Sequence, residues 1–506
     1  MIRNHVFRST GSNLIGQIVI LGTGFLLAPF VLHRIGAADY GLWILVNSLT
    51  GYASVLEFGI SSAVIKYVAE FRVRGEREQA QAFVATSLAL YTILGLLAIL
   101  FSAGVAALLP HLINVPPGEE AKAARLVLLA GVGLGLSIPA TIIIGVLRGL
   151  QRFDLLNLLY IINTLLGAGA TVAVLLLGWG VLGIAAVAIP VTILTQIPGL
   201  WLVRRADPEM RIGLRGARRD LVRTVTGFSF KLFVSQISQQ LQMRTDEVVI
   251  AGALPIASVT PYSLGRRLGE IPNQLANQLV RTLMPLASGL HAERDWPRLR
   301  AMFVASTRMS IAIAAAIAAV LSTLAPSLLT LWVGPEYAQH WPVVLLISLS
   351  SVAALSIYPA GAILQGMDRH KLQAITALAG GAINVVLSLI LVRRIGIAGV
   401  ALGTLIPAML EVAILTPYTL RQLNADWGAL IRDAWAPALA PVLPAVAVLY
   451  ALQAALQPAS FVVLGIIATA GLAVYGLVYF IFRATAGERE LFQGFVIKAV
   501  ALARSL

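Results

Sequence analysis

The sequence contains no cysteine, which excludes disulfide bonds, thiolate nucleophiles and cysteine-ligated metals. Charged residues are also scarce, at 12% of the chain against about 25% in an average soluble domain. No strand leads into a glycine-rich loop followed by Lys-Ser/Thr, so a P-loop nucleotide site is excluded too. Because so little of the chain is charged, water cannot be the solvent for most of its folded surface.

Hydrophobic residues make up 58% of the 506 residues and are grouped in long stretches. A helix of about 20 apolar residues crosses the hydrocarbon core of a bilayer, which is about 30 Å thick. The sequence therefore predicts an all-α integral membrane protein with about fourteen transmembrane helices. The apolar segments lie at about 11–33, 40–64, 81–108, 124–147, 155–177, 181–203, 222–252, 258–288, 301–329, 341–365, 372–392, 397–419, 434–456 and 460–482.

The net charge is +14, and its placement argues against a nucleic-acid partner. Arginines are concentrated in alternate connections, including six between Arg204 and Arg219, whereas the other connections hold few. This bias predicts a multi-pass protein with both termini in the cytoplasm. The basic stretch 204–223 has two interpretations, a positive-inside signal or a segment that binds anionic lipid.

Three short motifs recur along the chain, which predicts an internal duplication. Residues 81–87 match 301–307, residues 147–152 match 364–369, and residues 180–183 match 396–399, with offsets of 216 to 220 residues. Six helices separate each motif from its copy, so the two copies have the same orientation in the membrane. We expect two parallel-repeat six-helix lobes around a central cavity, at 1–210 and 211–425, and two additional helices and a short cytoplasmic tail at 426–506.

Polar residues inside the spans are expensive and are expected to face a cavity or one another. They recur at spacings of three or four residues along four segments, which places them on helix faces. A surface amphipathic helix would show the same pattern, but the opposite faces are apolar enough to pack against lipid or protein. The candidate cavity residues are Asn13, Gln17, Asn47 and Glu57 in the first two segments, Lys231, Gln239, Gln242, Arg244 and Asp246 in the seventh, and Arg266, Arg267, Glu270, Gln274, Asn277 and Arg281 in the eighth.

Basic residues outnumber acidic ones in this set, which favours an anionic substrate group. The planar guanidinium of arginine suits phosphate oxygens in bidentate contact. A structural interpretation stays open for the same residues: Asp246 with Arg244 or Arg266, and Glu270 with Arg266 or Arg267, form ion pairs that hold the fold. Arg281 can also extend its charge to the membrane interface from near a helix end.

The run from Pro29 to Trp43, with Gly36 followed by Tyr40-Gly41, resembles the polysaccharide-export branch of the multidrug/oligosaccharidyl-lipid/polysaccharide exporter superfamily. A second similarity runs from Asp246-Glu247 to Tyr262 and Pro272. The O-antigen and capsule flippases of that branch imply a bacterial inner-membrane transporter that moves a polyprenyl-pyrophosphate-linked oligosaccharide to the outer leaflet by alternating access. The resemblance implies no cofactor, metal or catalytic residue. Its implied partners are the lipid-linked glycan, membrane lipids and other polysaccharide assembly proteins.

Two other functions fit parts of the sequence. A cation or drug antiporter of the same superfamily has this architecture, but we expect it to use membrane acids in its first lobe, where Glu57 alone qualifies. An integral-membrane glycosyltransferase or polymer ligase usually carries a large loop outside the membrane with paired acids or histidine. The outside connections here are short, which favours transport over catalysis.

Overall fold

The computed structural model describes residues 2–53, 59–112, 118–280 and 283–482, and within these ranges it is helical without a β-strand. In residues 2–15, 17–18, 52–53, 109–112, 228–244, 276–280 and 482 it describes the backbone alone. The prediction of an all-α membrane protein is confirmed by these helices. In the first half they are α1 (Ile2–Ala53), α2 (Ile60–Arg74), α3 (Arg77–Leu112), α4 (Glu120–Gly149), α5 (Phe153–Leu176), α6 (Gly180–Ala206) and α7 (Arg219–Ala253).

A 3₁₀ turn at Ile256–Ser258 leads into the second half, where Glu270 separates the first two helices of the eighth apolar segment. A second 3₁₀ turn lies at Pro335–His340, and a π turn lies at Ile431–Trp435. The helices are α8 (Val259–Gly269), α9 (Ile271–Val280), α10 (Leu283–Ala292), α11 (Trp296–Trp332), α12 (Trp341–Gly366), α13 (Lys371–Ile395), α14 (Ile397–Leu423), α15 (Trp427–Leu430), α16 (Ala436–Leu439), α17 (Val442–Leu456) and α18 (Phe461–Phe482).

Within the described residues, 11 stretches are long and apolar enough to cross a membrane. The number of fourteen is not confirmed by this count, for two physical reasons. The first two apolar segments join in α1, and α7 and α8–α10 carry many polar residues. Those polar helices are the ones that the sequence identified as candidate cavity walls.

Helix α1 bends at Gly36, whose φ of 78° and ψ of 169° lie outside the helical region. Glycine adopts this conformation without the steric cost that a side chain would impose. Just after the bend, the hydroxyl of Thr260 donates to the carbonyl of Ala37 at 2.6 Å. Gly41 leaves room for the carbonyl of Ile256, which a Cβ atom at Gly41 would overlap. The structure therefore requires glycine at both ends of the Gly36–Gly41 motif, for the bend at Gly36 and for the close approach at Gly41.

Contacts divide the chain into two compact units, with the boundary between Thr260 and Pro261. Helix α7 packs against α1, α2 and α3, so it belongs to the first unit by contact. The sequence repeat instead predicts a lobe boundary at 210/211, and that boundary stays a prediction about the duplication.

The same local structure recurs at matched positions of the duplication. Helix α4 ends with Gln151 at φ 58°, and the N–H of Arg152 donates to the carbonyl of Leu147 at 2.9 Å. Helix α12 ends with Asp368 at φ 55°, and the N–H of Arg369 donates to the carbonyl of Leu364 at 2.8 Å. Both are helix C-termini closed by a residue in the left-handed conformation. The repeat read from the sequence is thus matched by repeated backbone geometry.

Helix packing follows the duplication within each unit. In the first unit α3 packs against α4, and α4 and α5 pack against α6; in the second, α11 packs against α12, and α12 and α13 pack against α14. Glycine allows close approach at equivalent places: a Cβ atom on Gly149 would lie 2.9 Å from Val68 Cβ, and one on Gly366 would lie 2.9 Å from Ala287 Cβ.

Replacing Gly149 with alanine should therefore destabilise the first unit. The added carbon contacts the Cβ atom of Val68, which cannot rotate away, and overpacking of this kind costs about 1–3 kcal/mol. Gly167→Ala is the matched control, because nothing lies within 4 Å of its added carbon. Thermal unfolding in detergent should show a lower midpoint for Gly149→Ala and an unchanged or higher one for Gly167→Ala. Equal midpoints for the two variants would contradict this packing.

Candidate functional site

Helices α8 and α9 run along α12 in the second unit, held there by two glycines. A Cβ atom on Gly265 would lie 2.9 Å from Val343 Cγ1, and one on Gly269 would lie 2.7 Å from Ile347 Cβ. This Gly-x-x-x-Gly spacing lets two backbones approach closely, as it does in many membrane helix pairs. The hydroxyl of Ser351 donates to the carbonyl of Gly269 at 2.9 Å and fixes the contact.

The residues between and after these glycines carry the charge of the site. Arg266 Nε donates to Glu270 Oε1 at 2.7 Å, with 15% of the arginine side chain and 39% of the glutamate side chain exposed. Helical hydrogen bonds continue through Glu270. Its N–H donates to the carbonyl of Arg266, and its carbonyl accepts from the N–H of Gln274. Their spacing of four residues therefore places Arg266 and Glu270 on one face. This ion pair was one of the structural interpretations that the sequence left open.

Arg267 differs from its neighbour because its side chain is exposed. Among the described residues it forms no ion pair or hydrogen bond, whereas Arg266 is bound to Glu270. A guanidinium carries five N–H donors and cannot be deprotonated in proteins. The site therefore presents one paired and one unpaired arginine side by side on α8.

A second polar contact continues along the same helix face toward the middle of α12. Asn273 Nδ2 donates to the hydroxyl of Tyr358 at 3.3 Å. Sequence reasoning missed Asn273 and Tyr358; the spacing of three residues from Glu270 to Asn273 was the available signal.

The other predicted site residues are placed as follows. Gln274 is partly buried on α9, and Asn47 is exposed on α1, where its Nδ2 donates to the carbonyl of Trp43 at 2.9 Å. Asp246 lies near the end of α7 in the first unit and is 2% exposed. The side chains of Asn13, Gln17, Lys231, Gln239, Gln242, Arg244 and Asn277, and the whole of Glu57 and Arg281, lie outside the described residues. The structure thus brings together Arg266 and Glu270, while the convergence of four polar faces stays a prediction.

Comparison with known proteins adds a family to this geometry. The sequence profile of the family described as "Polysaccharide biosynthesis protein" matches residues 6–291. The uncharacterized membrane protein EpsK of Bacillus subtilis is 24% identical over 418 residues, which are 80% of this chain and 81% of that protein. The succinoglycan biosynthesis transport protein ExoT of Rhizobium meliloti is 22% identical over 347 residues, 68% of this chain and 66% of that protein.

Solved structures show the same fold. The lipid II flippase MurJ, in an inward closed conformation, superposes with a TM-score of 0.71 at 14% identity, covering 96% of this chain and 100% of that one. An inward-facing multidrug resistance MATE family transporter superposes with a TM-score of 0.67 at 18% identity, covering 81% of this chain and 94% of that one. The predicted likeness to the exporter superfamily is confirmed at the level of the fold.

The ion pair between Arg266 and Glu270 should contribute measurably to the stability of the protein. Arg266→Gln leaves the carboxylate of Glu270 without its cation beside a spanning helix, and breaking such a pair destabilises more than removing both charges. We expect a coupling of about 0.5–3 kcal/mol in a double-mutant cycle. The measurement is thermal unfolding of Arg266→Gln, Glu270→Gln and the double variant. Additive losses would show that the two side chains do not stabilise each other.

Proposed function

We propose that this chain, which belongs to the polysaccharide biosynthesis protein family, is a flippase for a polyprenyl-pyrophosphate-linked oligosaccharide such as an O-antigen, capsule or exopolysaccharide repeat unit. Transport runs from the cytoplasmic to the outer leaflet of the bacterial inner membrane by alternating access. Both termini lie in the cytoplasm, in keeping with the arginine-rich connections. The protein acts as a transporter.

One observation carries the choice of substrate. Arg266 and Arg267 are adjacent on α8, and Arg267 is exposed without an acidic partner among the described residues. A pyrophosphate offers several anionic oxygens to such a pair, and each charge-assisted hydrogen bond contributes about 1.5–3 kcal/mol. We assign the amide of Gln274, one turn after Glu270, to a sugar hydroxyl. The name of ExoT, a succinoglycan biosynthesis transport protein, supports the same substrate class.

A cation or drug antiporter is the second candidate. Asp246 and Glu247 on α7 are 2% and 6% exposed, and buried acids are what a cation-coupled exporter needs. The fold shared with a multidrug transporter is compatible with this function as well. The basic character of α8 favours the flippase.

Deletion of the gene separates the two candidates. The flippase predicts that lipid-linked sugar accumulates on the inner leaflet and that the surface polysaccharide is lost. These changes are measured by labelling the sugars that are accessible in intact cells and in inverted membrane vesicles. Unaltered lipid-linked pools with a loss of drug resistance would instead favour the antiporter.

The arginines can be tested in the same deletion strain. Arg266→Gln/Arg267→Gln should insert into the membrane but fail to restore polysaccharide. Loss of one charge-assisted hydrogen bond lowers affinity by about 10- to 100-fold. Arg211→Gln is the matched control, since Arg211 is an exposed arginine in the connection between α6 and α7. Full activity of the double variant at normal expression would remove both arginines from the site.

A further inference from the structure

The last turns of helix α6 present one continuous exposed face. Ile193, Ile197, Trp201 and Arg205 are exposed and follow one another at intervals of four residues, which places them on the same side of the helix. Arg204, three residues after Trp201, is exposed on this side too. The face therefore changes along its length from aliphatic to aromatic to cationic.

The opposite face of α6 is fixed by packing within the first unit. Leu202 and Val203 are buried in the hydrophobic core that α6 shares with α4 and α5. A Cβ atom on Gly199 would lie 3.0 Å from Ile143 Cδ1, so α6 and α4 are in close contact. Because this side of α6 is held in the core, the exposed face is turned away from the rest of the unit.

The exposed face has about the length of one lipid molecule. From Ile193 to Arg205 the helix rises by about 18 Å, at about 1.5 Å per residue. Half of the hydrocarbon core of a bilayer is about 15 Å thick. Helix α6 is long and apolar enough to cross the membrane, so its aliphatic residues can accompany an acyl chain while its terminal arginines reach the headgroups. Trp201 then lies at the membrane interface, where tryptophan is enriched.

Trp201 also orients one of the two arginines. The guanidinium of Arg205 lies over its indole ring, with the Cζ atom 5.3 Å from the ring centroid. This cation–π contact uses the flat side of the guanidinium. The N–H groups at its edge therefore stay available for phosphate oxygens.

Neither arginine at the end of α6 forms an ion pair within the described residues. The next acids along the chain bind elsewhere. A carboxylate oxygen of Asp207 accepts the backbone N–H of Glu209 at 3.1 Å, and the carboxylate of Glu209 pairs with Arg77 on α3. The end of α6 therefore carries two adjacent positive charges directly after an apolar, lipid-length face.

We propose that this face of α6, from Ile193 to Arg205, binds an anionic phospholipid of the surrounding membrane. The guanidinium groups of Arg204 and Arg205 hold the phosphate, and an acyl chain follows the aliphatic residues. A zwitterionic lipid also has a phosphate, but its own cation would lie beside two arginines, so the site prefers a headgroup with a net negative charge. The basic stretch 204–223 thus begins with a lipid site, whose occupant does not depend on the identity of the transported substrate.

The preference can be measured by native mass spectrometry of the full chain in detergent, titrated with phosphatidylglycerol and with phosphatidylcholine of the same acyl chains. Wild-type protein should bind phosphatidylglycerol more tightly. Arg204→Gln/Arg205→Gln should lower this preference by about 5- to 30-fold, because each arginine at a membrane surface contributes about fivefold. A wild-type protein without the preference, or a variant that keeps it, would overturn the proposal.

Arg211→Gln/Arg215→Gln is the matched control. It removes two exposed arginines from the connection between α6 and α7 and leaves the face of α6 intact. This variant should keep the wild-type preference and the wild-type midpoint of thermal unfolding. Equal losses of preference in the two double variants would show a diffuse attraction of anionic lipid to the whole connection, and would overturn a site on α6.

Trp201→Leu tests the contact that orients Arg205. Leucine keeps an apolar side chain at this position but offers no ring to the guanidinium. The preference for phosphatidylglycerol should fall by about 2- to 5-fold, which is the contribution of an exposed cation–π contact, while phosphatidylcholine binding stays the same. An equal fall in the binding of both lipids would contradict the role of Trp201 in selecting the headgroup.

Discussion

The cost of holding charge beside membrane-spanning helices is the constraint on which the candidate site depends. Arg266 and Glu270 meet this cost by pairing at 2.7 Å on one face of α8–α9. Their helix is fixed by close contact of Gly265 and Gly269 with α12, and by the hydrogen bond from Ser351. Without that contact the pair would lose its fixed position beside α12. The neighbouring Arg267 is exposed on the same helix and is the residue that we propose binds the anion.

Backbone features recur at the positions that the predicted duplication pairs, whereas the charged residues of the candidate site do not. The helix ends at Gln151 and Asp368 and the close approaches at Gly149 and Gly366 are repeated in the two units. Charged residues are not repeated in the same way, because Arg266, Arg267 and Glu270 occur in the second copy alone.

Much of the fold could be predicted from hydrophobic segments, because a span of about 20 apolar residues has one stable conformation in a bilayer. The pair of Arg266 and Glu270 was also within reach, since residues four apart share a helix face. Tyr358 could not be joined to Asn273 in advance, because the two residues lie on different helices and meet through tertiary packing. The division between α8 and α9 at Glu270 was likewise hidden, although Pro272 marks where regular hydrogen bonding is interrupted.

Reconstitution tests most directly whether this chain moves a lipid-linked glycan across a bilayer. Purified protein would be placed in liposomes containing undecaprenyl-pyrophosphate-linked oligosaccharide labelled on the sugar, and the fraction reached by an external sugar-modifying enzyme would be followed over time. We expect the wild-type protein to expose the inner pool and the Arg266→Gln/Arg267→Gln variant to leave it protected. An inner pool that stays protected in the presence of correctly inserted wild-type protein would contradict this expectation.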